Sequence, residues 1–140
     1  MAITQAMTSS FKPEVLGGIH DLDTDAIYIA LYTSAASLGA ATTAYTSTNE
    51  VATAGGYVAG GIQLTGPVIS LDGTTGICDF DDATWPAATI TARGAMIYNS
   101  SKSNKAIAIL DFGSDKISTA GAFTVIMPAA AAATALVRIA

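Results

Sequence analysis

The sequence predicts a mainly β fold, an antiparallel β-sandwich or jelly-roll-like domain with one short N-terminal helix. Three observations point there. Apolar residues alternate with period two in short segments, turn-forming clusters of Gly, Asp, Asn, Ser and Pro separate those segments at intervals of roughly 8 to 12 residues, and helical spacing occurs in one place only. With 140 residues there is room for one core, because two domains would each bury too little surface. The expected organisation is an N-terminal arm over residues 1–9 and a single domain over 10–140.

In chain order, residues 1–9 are small and polar, as in a mobile or partner-bound arm. A short helix follows: Ser9 or Ser10 can cap it, Pro13 and Glu14 suit a first turn, and Phe11, Val15, Leu16 and Ile19 share a face. Gly17-Gly18 ends it. Ala26 to Thr33 places Ile27, Ile29 and Leu31 opposite Tyr28, Ala30 and Tyr32, a pattern for an inner strand covered on both faces. Ser34 to Gly56 carries few large side chains and reads as an extended loop and contact arm.

Tyr57 to Leu64 is extended, with a bend at Gly60-Gly61. Val68 to Leu71 and Gly76 to Phe80 flank Asp72-Gly73-Thr74-Thr75, a hairpin turn. A larger hairpin then runs from Thr84 to Phe112, with Trp85 at its entrance. In it, Ile90, Ala92, Gly94, Met96 and Tyr98 are expected on one face, and Thr91, Arg93, Ala95 and Ile97 on the other. After a loop over 113–121, Ala122 to Met127 and Leu136 to Ile139 supply the last strands, joined by an alanine-rich connector.

Composition bounds function. The chain is 51% hydrophobic and only 12% charged, which favours burial against other subunits. A net charge of −5 without a basic run argues against nucleic acid as partner. Cys78 stands alone, so no internal disulfide forms, and the Met1 region lacks the features of a signal peptide. Synthesis in a reducing cytoplasm is the expectation. No apolar run approaches the ~20 residues of a membrane-crossing helix.

Asp21, Asp23 and Asp25 alternate as at the start of an EF-hand loop, but Ala26 and Tyr32 stand where that loop needs Gly and Glu, so a solvated acidic turn is the expectation. His20 has no nucleophile motif beside it and reads as a structural histidine. Asp79, Asp81 and Asp82 precede Trp85 and admit a carboxylate pair beside a sugar platform, though edge-strand protection explains them equally. Arg93, inside an apolar strand, needs a partner, with Asp79 or Asp111 in reach. The reading carries no catalytic residue, cofactor or metal, and the chain is expected not to be an enzyme.

Three stretches carry a resemblance: Ser10-Phe11-Lys12-Pro13-Glu14-Val15-Leu16-Gly17-Gly18-Ile19-His20, then Ile29-Ala30-Leu31-Tyr32-Thr33, then Trp85 to Ala95 with Tyr98-Asn99-Ser100. They resemble small structural proteins encoded in the morphogenesis regions of tailed bacteriophages. The resemblance implies a virion protein made in the host bacterial cytoplasm, of capsid decoration (cement) type. Its partners would be the major capsid protein and copies of itself; a tail or head-tail connector subunit is the alternative. In that setting the expected partner contacts are Ile3, Met7 and Phe11 of the arm, Tyr45 of the long loop, and Asn99, Lys102 and Asn104 of the hairpin tip.

Overall fold

The computed structural model describes residues 2 to 140; Met1, part of the expected arm, lies outside the described residues. The elements are β1 (Ala6–Met7), α1 (Phe11–Leu16), β2 (Ile27–Tyr32), β3 (Ile62–Gln63), β4 (Val68–Asp72), β5 (Thr75–Asp79), β6 (Ala83–Asn99), β7 (Lys105–Val125) and β8 (Val137–Ile139). A five-stranded sheet runs β1-β7-β6-β2-β3 and a three-stranded sheet runs β4-β5-β8. Every strand pair is antiparallel, and the architecture is sandwich-like but not closed.

The β6–β7 hairpin dominates. Thr84 to Ile90 alternate in polarity, and Trp85, Ala88, Ile90 and Ala92 are buried while Thr84, Thr89 and Thr91 face solvent, so this half has one covered face. From Gly94 to Tyr98 every residue is buried, so this half is covered on both faces. Between the halves, the register passes from Ala92–Lys116 directly to Gly94–Asp111. Arg93 alone therefore opposes four residues, 112–115, a bulge eased by Gly113 at φ 80°. The bulge corrects the expected face assignment. Ile90 and Ala92 pack with Ala95 and Ile97 in the main core, whereas Met96 and Tyr98 join the second cluster on the opposite face. Strict alternation across the whole strand fails because one unpaired residue inverts the order beyond it.

Several segments differ from expectation for the same reason, that tertiary pairing recruits sequence with weak local preference. Residues 113–121 are strand within β7, not loop, and Trp85 lies inside β6 rather than at its entrance. The N-terminal arm is part of the domain: Ala6 and Met7 pair with Ile109 and Ala108, Ile3 bridges Leu38 in parallel, and the buried Thr8 hydroxyl donates to Ala106 O at 3.0 Å. The loop over 34–56 likewise covers the sheet, burying Ala36, Leu38 and Val51.

In α1, Ser10 makes no side-chain cap and its Oγ has no partner. The C-terminus is closed by a Schellman motif: Ile19 N–H donates to Glu14 O at 2.9 Å and Gly18 N–H to Val15 O at 3.2 Å, with Gly18 at φ 75°. Phe11 is fully buried, but Leu16 is 86% exposed, so the apolar face is narrower than the spacing implied. Among the described residues no helix is long and apolar enough to cross a membrane.

Gly61 shows how closely the backbone packs. It lies at φ 78°, and a Cβ there would overlap the Ile29 carbonyl oxygen on β2. Gly73, at φ 63°, meets nothing within 4 Å. Gly73→Ala should therefore cost only the left-handed backbone term, about 1–2 kcal/mol, whereas Gly61→Ala should cost more than about 3 kcal/mol or block folding, since backbone cannot yield. Urea denaturation of both variants checks the contrast; equal costs would contradict it.

Candidate functional site

Two buried polar centres sit on either side of the hairpin, and each uses its titratable groups internally. The first joins α1, the turn over 20–25 and the hairpin tip. Asn99, wholly buried at the end of β6, accepts from Ser101 N–H at 3.0 Å, which fixes its amide orientation. Its Nδ2 then donates to His20 Nδ1 at 3.0 Å and to Asp25 Oδ2 at 2.8 Å. With Nδ1 accepting, the His20 proton resides on Nε2, which donates to Glu14 Oε1 at 3.0 Å. Lys105 lies 3.5 Å from the other Glu14 oxygen, and Lys102 3.9 Å from Asp25. Phe11 packs on the imidazole at 4.9 Å between ring centroids. Both His20 nitrogens are thus engaged, so no free lone pair remains to serve as a base.

The acidic triplet is a self-bonded turn. Asp21 accepts from Thr24 Oγ1 at 2.7 Å and from the N–H groups of Asp23 and Thr24, and these bonds, the Thr24 hydroxyl first, hold its carboxyl below the usual range. Burial works to raise the Asp25 carboxyl, but Asn99, the Asp21 N–H and Lys102 together bring it below the ordinary value. Among the described residues no three His, Cys, Asp or Glu side chains converge as metal ligands.

The second centre is built around Glu50, which no sequence motif marks. Glu50 is the single charged residue between Asp25 and Asp72. Its carboxylate accepts from Tyr45 Oη and Tyr57 Oη, each at 2.5 Å, and from Gly60 N–H at 2.7 Å. Tyr57 Oη in turn accepts from Leu31 N–H at 2.9 Å, and Tyr98 Oη donates to Gly60 O at 2.6 Å. Tyr98 is stacked between Tyr45 at 4.7 Å and Tyr28 at 5.9 Å. Burial, followed by Glu50, pushes the phenols of Tyr57 and Tyr45 well above their ordinary value, and burial followed by Glu50 pushes Tyr98 up to about 12. A lone acid in an uncharged stretch flanked by tyrosines is the signal that points to this centre.

The expected partner contacts fare unevenly. Phe11 and Ile3 are core residues, and the Ile3 side chain lies against Gly94, where a Cβ would approach it to 2.9 Å. Met7 is half-buried in the sheet, Asn99 is fully buried, and Tyr45 is half-buried on Glu50. Side chains that complete a chain's own core and hydrogen bonds are not free to bind a partner. Asn104 is exposed and Lys102 half-exposed at the hairpin tip, where Ser103 and Asn104 take positive φ.

Arg93 pairs with Asp111, Nε to Oδ1 at 3.2 Å, and not with Asp79. The pair is about one-third exposed, and such pairs stabilise little. Asp79 lies in the other sheet, buried, with Oδ1 accepting from Phe80 N–H and Oδ2 unpartnered; burial raises its carboxyl. Trp85 is buried between Tyr57 and Phe123, with no open ring face for a sugar, while Asp82 accepts from Met127 N–H and Asp81 from Thr65. The Trp85-centred carboxylate site is therefore not assembled. Cys78 is buried and its thiol is pushed up to about 12, burial first. A cleft of about 790 Å³ between β1, β7 and the C-terminal segment is lined by two charged side chains, each bonded within the chain: Asp111 to Arg93, and Arg138 to Ala133 O.

No protein family, curated protein or solved structure matches the chain.

Removing the Glu50 acceptor strands the Tyr57 hydroxyl and Gly60 N–H, so Glu50→Ala should lose about 2–4 kcal/mol in urea denaturation. Tyr98 has a folded value of about 12 against about 10 when unfolded. Its contribution is complete below the unfolded value and lost as pH rises to the folded one. Stability should therefore fall between pH 10 and 12, with phenolate absorbance at 295 nm rising together with loss of the circular dichroism signal. Early ionisation of all five tyrosines in the folded chain would contradict this.

Asn99→Ala leaves His20 and Asp25 without their donor and should cost about 2–3 kcal/mol at pH 7. Because the Asp25 carboxyl is lowered on folding, its share is present above the unfolded value near pH 4 and is lost as pH falls further. The deficit measured by denaturation should narrow below about pH 4; a pH-independent deficit would exclude Asp25 from the network.

Proposed function

We propose that this chain is a non-enzymatic virion structural protein of a tailed bacteriophage, one that decorates the assembled capsid and stabilises contacts between capsomers. The observation that carries the reading is where polarity and apolarity lie. The polar groups of both centres are consumed inside the fold, while Leu16, Leu71, Ile117 and Ile126 are each at least 70% exposed. Large apolar side chains left at strand edges and element ends suit a surface that is covered on assembly. The resemblance of the helix, inner-strand and hairpin motifs to phage morphogenesis proteins supports the same role, and the low charge suits close packing on a shell.

A decoration protein acts by mass action: binding only the assembled shell, it stabilises that shell against dissociation in proportion to occupancy. Shells assembled with the chain should resist heat and low salt better than shells without it, and the gain should saturate as the chain is titrated. Counting copies per purified particle separates the rival role. A number matching capsomers supports decoration, whereas a ring-sized number, or unchanged shell stability, replaces it with a tail or connector role.

A further inference from the structure

The three-stranded sheet leaves the β4 edge open, and we infer that β4 pairs with β4 of a second copy of this chain, antiparallel and centred on Ser70. This goes beyond the decoration reading by naming a self-association surface, and it stands on the geometry of the β4 edge independently of shell binding.

The hydrogen-bond direction along β4 follows from its turn. Gly73 and Thr74 form a two-residue loop with positive φ at Gly73 alone, a type II′ turn, so the flanking pair Asp72–Thr75 exchanges hydrogen bonds. Alternation then assigns bonded pairs to Ser70–Ile77 and Val68–Asp79. Ile69 and Leu71 consequently direct their N–H and C=O groups away from β5. Among the described residues, no backbone bond from outside the ladder reaches either residue.

Edge strands are ordinarily guarded by lysine, proline, a bulge or an inward charge. β4 runs through five consecutive pairs without a shift and contains none of the first three. Its one charge, Asp72, accepts from Ala132 N–H at 2.6 Å and is turned toward its own chain. Ile69 and Leu71 are 57% and 71% exposed.

The strand is self-complementary. With Ser70 opposite Ser70 of the second copy, Ile69 stands opposite Leu71 and Leu71 opposite Ile69. These are the residues with outward backbone groups, so each facing pair exchanges both bonds. Moving the centre by one residue to Ile69 sets Leu71 against Pro67, which has no N–H; moving it to Leu71 sets Ile69 against Gly73 in the turn. The side chains agree with the centred register. Ile69 is in row with Cys78 and Val137, and Leu71 with Gly76 and Ile139, on one face of the sheet. Cys78 and Val137 lie in the main core, but Ile69, Leu71 and Ile139 at the margin are uncovered. Pairing brings Ile69 and Leu71 of both copies into one apolar strip.

Area sets the strength. Three side chains at the seam, Val68, Ile69 and Leu71, at about 100 Å² each give roughly 300 Å² per copy, against about 800 Å² in a standard interface. The dimer is therefore weak and concentration-dependent, formed where copies are crowded, and salt strengthens it by screening the net charge of −5 on each chain.

Sedimentation of the full chain from about 1 μM to about 1 mM should give a reversible monomer–dimer equilibrium shifted to dimer by salt. Leu71→Lys should remain monomeric with circular dichroism unchanged. Ser70→Cys, facing itself at a Cα separation near 4.5 Å, lies within disulfide range and should form a reducible dimer on mild oxidation. Val68→Cys, opposite Asp72, should not. A chain monomeric throughout, a dimer that survives Leu71→Lys, or equal cross-linking of the two cysteine variants would each overturn the proposal. If Leu71→Lys fails to fold, the cysteine pair still decides. Shell binding by a chain that never dimerises would sink this inference alone, and dimerisation without shell binding would sink only the decoration reading.

Discussion

The register shift at Arg93 is the constraint on which the rest of the structure depends. One residue of β6 faces four of β7 there, and the ribbon changes from a hairpin with one buried face to the middle of a sheet with two. On the turn side, Ala95 and Ile97 face the main core and Met96 and Tyr98 the second cluster, so both faces need a cover. The three-stranded sheet and α1 cover one. The N-terminal segment and the long loop over 34–56 cover the other, through Ile3, Ala36, Leu38 and Tyr45. Gly94, next to the shift, has no room for a Cβ because Leu110 O and Ile3 occupy that space, which ties the shift to the docking of the N-terminus.

The two polar centres follow from this layout. Each lies where a covering segment must be fastened to the sheet: His20, Asn99 and Asp25 fasten α1 and its turn to the hairpin tip, and Glu50 fastens the long loop and the segment around Gly60 to β2 and β6. Buried polar groups are tolerable only when bonded, and bonding fixes one arrangement among many that apolar contacts alone would allow. Groups resembling catalytic material, a histidine with a carboxylate and a carboxylate with tyrosines, thereby hold covering segments on the sheet. Both nitrogens of His20 and both carboxylate oxygens of Glu50 are bonded within the chain.

On the proposed role, the chain would meet other molecules through the apolar side chains left exposed at its margins and through its open backbone edge. These are weak singly and become effective in arrays, where many copies are held close and each small contact is repeated. The open β4 edge and the exposed Ile69 and Leu71 are features that edge strands ordinarily guard.

Much of the fold was legible in the sequence. Period-two alternation identified β2, β4, β5 and both strands of the hairpin, Asp72-Gly73 identified the small turn, and Ser10 to Gly18 identified the helix, because each signal acts over a few residues. The Arg93 partner could be narrowed to two aspartates, but only the sheet topology selected Asp111, which lies on β7 opposite Gly94, whereas Asp79 belongs to the other sheet. The burial of Ile3, Thr8, Ala36, Leu38 and Val51, the burial of Phe11 and Asn99, and the gathering of tyrosines around Glu50 were decided by tertiary structure. In those places the local sequence is small, polar or irregular and carries no period, and what buries it is the uncovered sheet face that a distant part of the chain supplies.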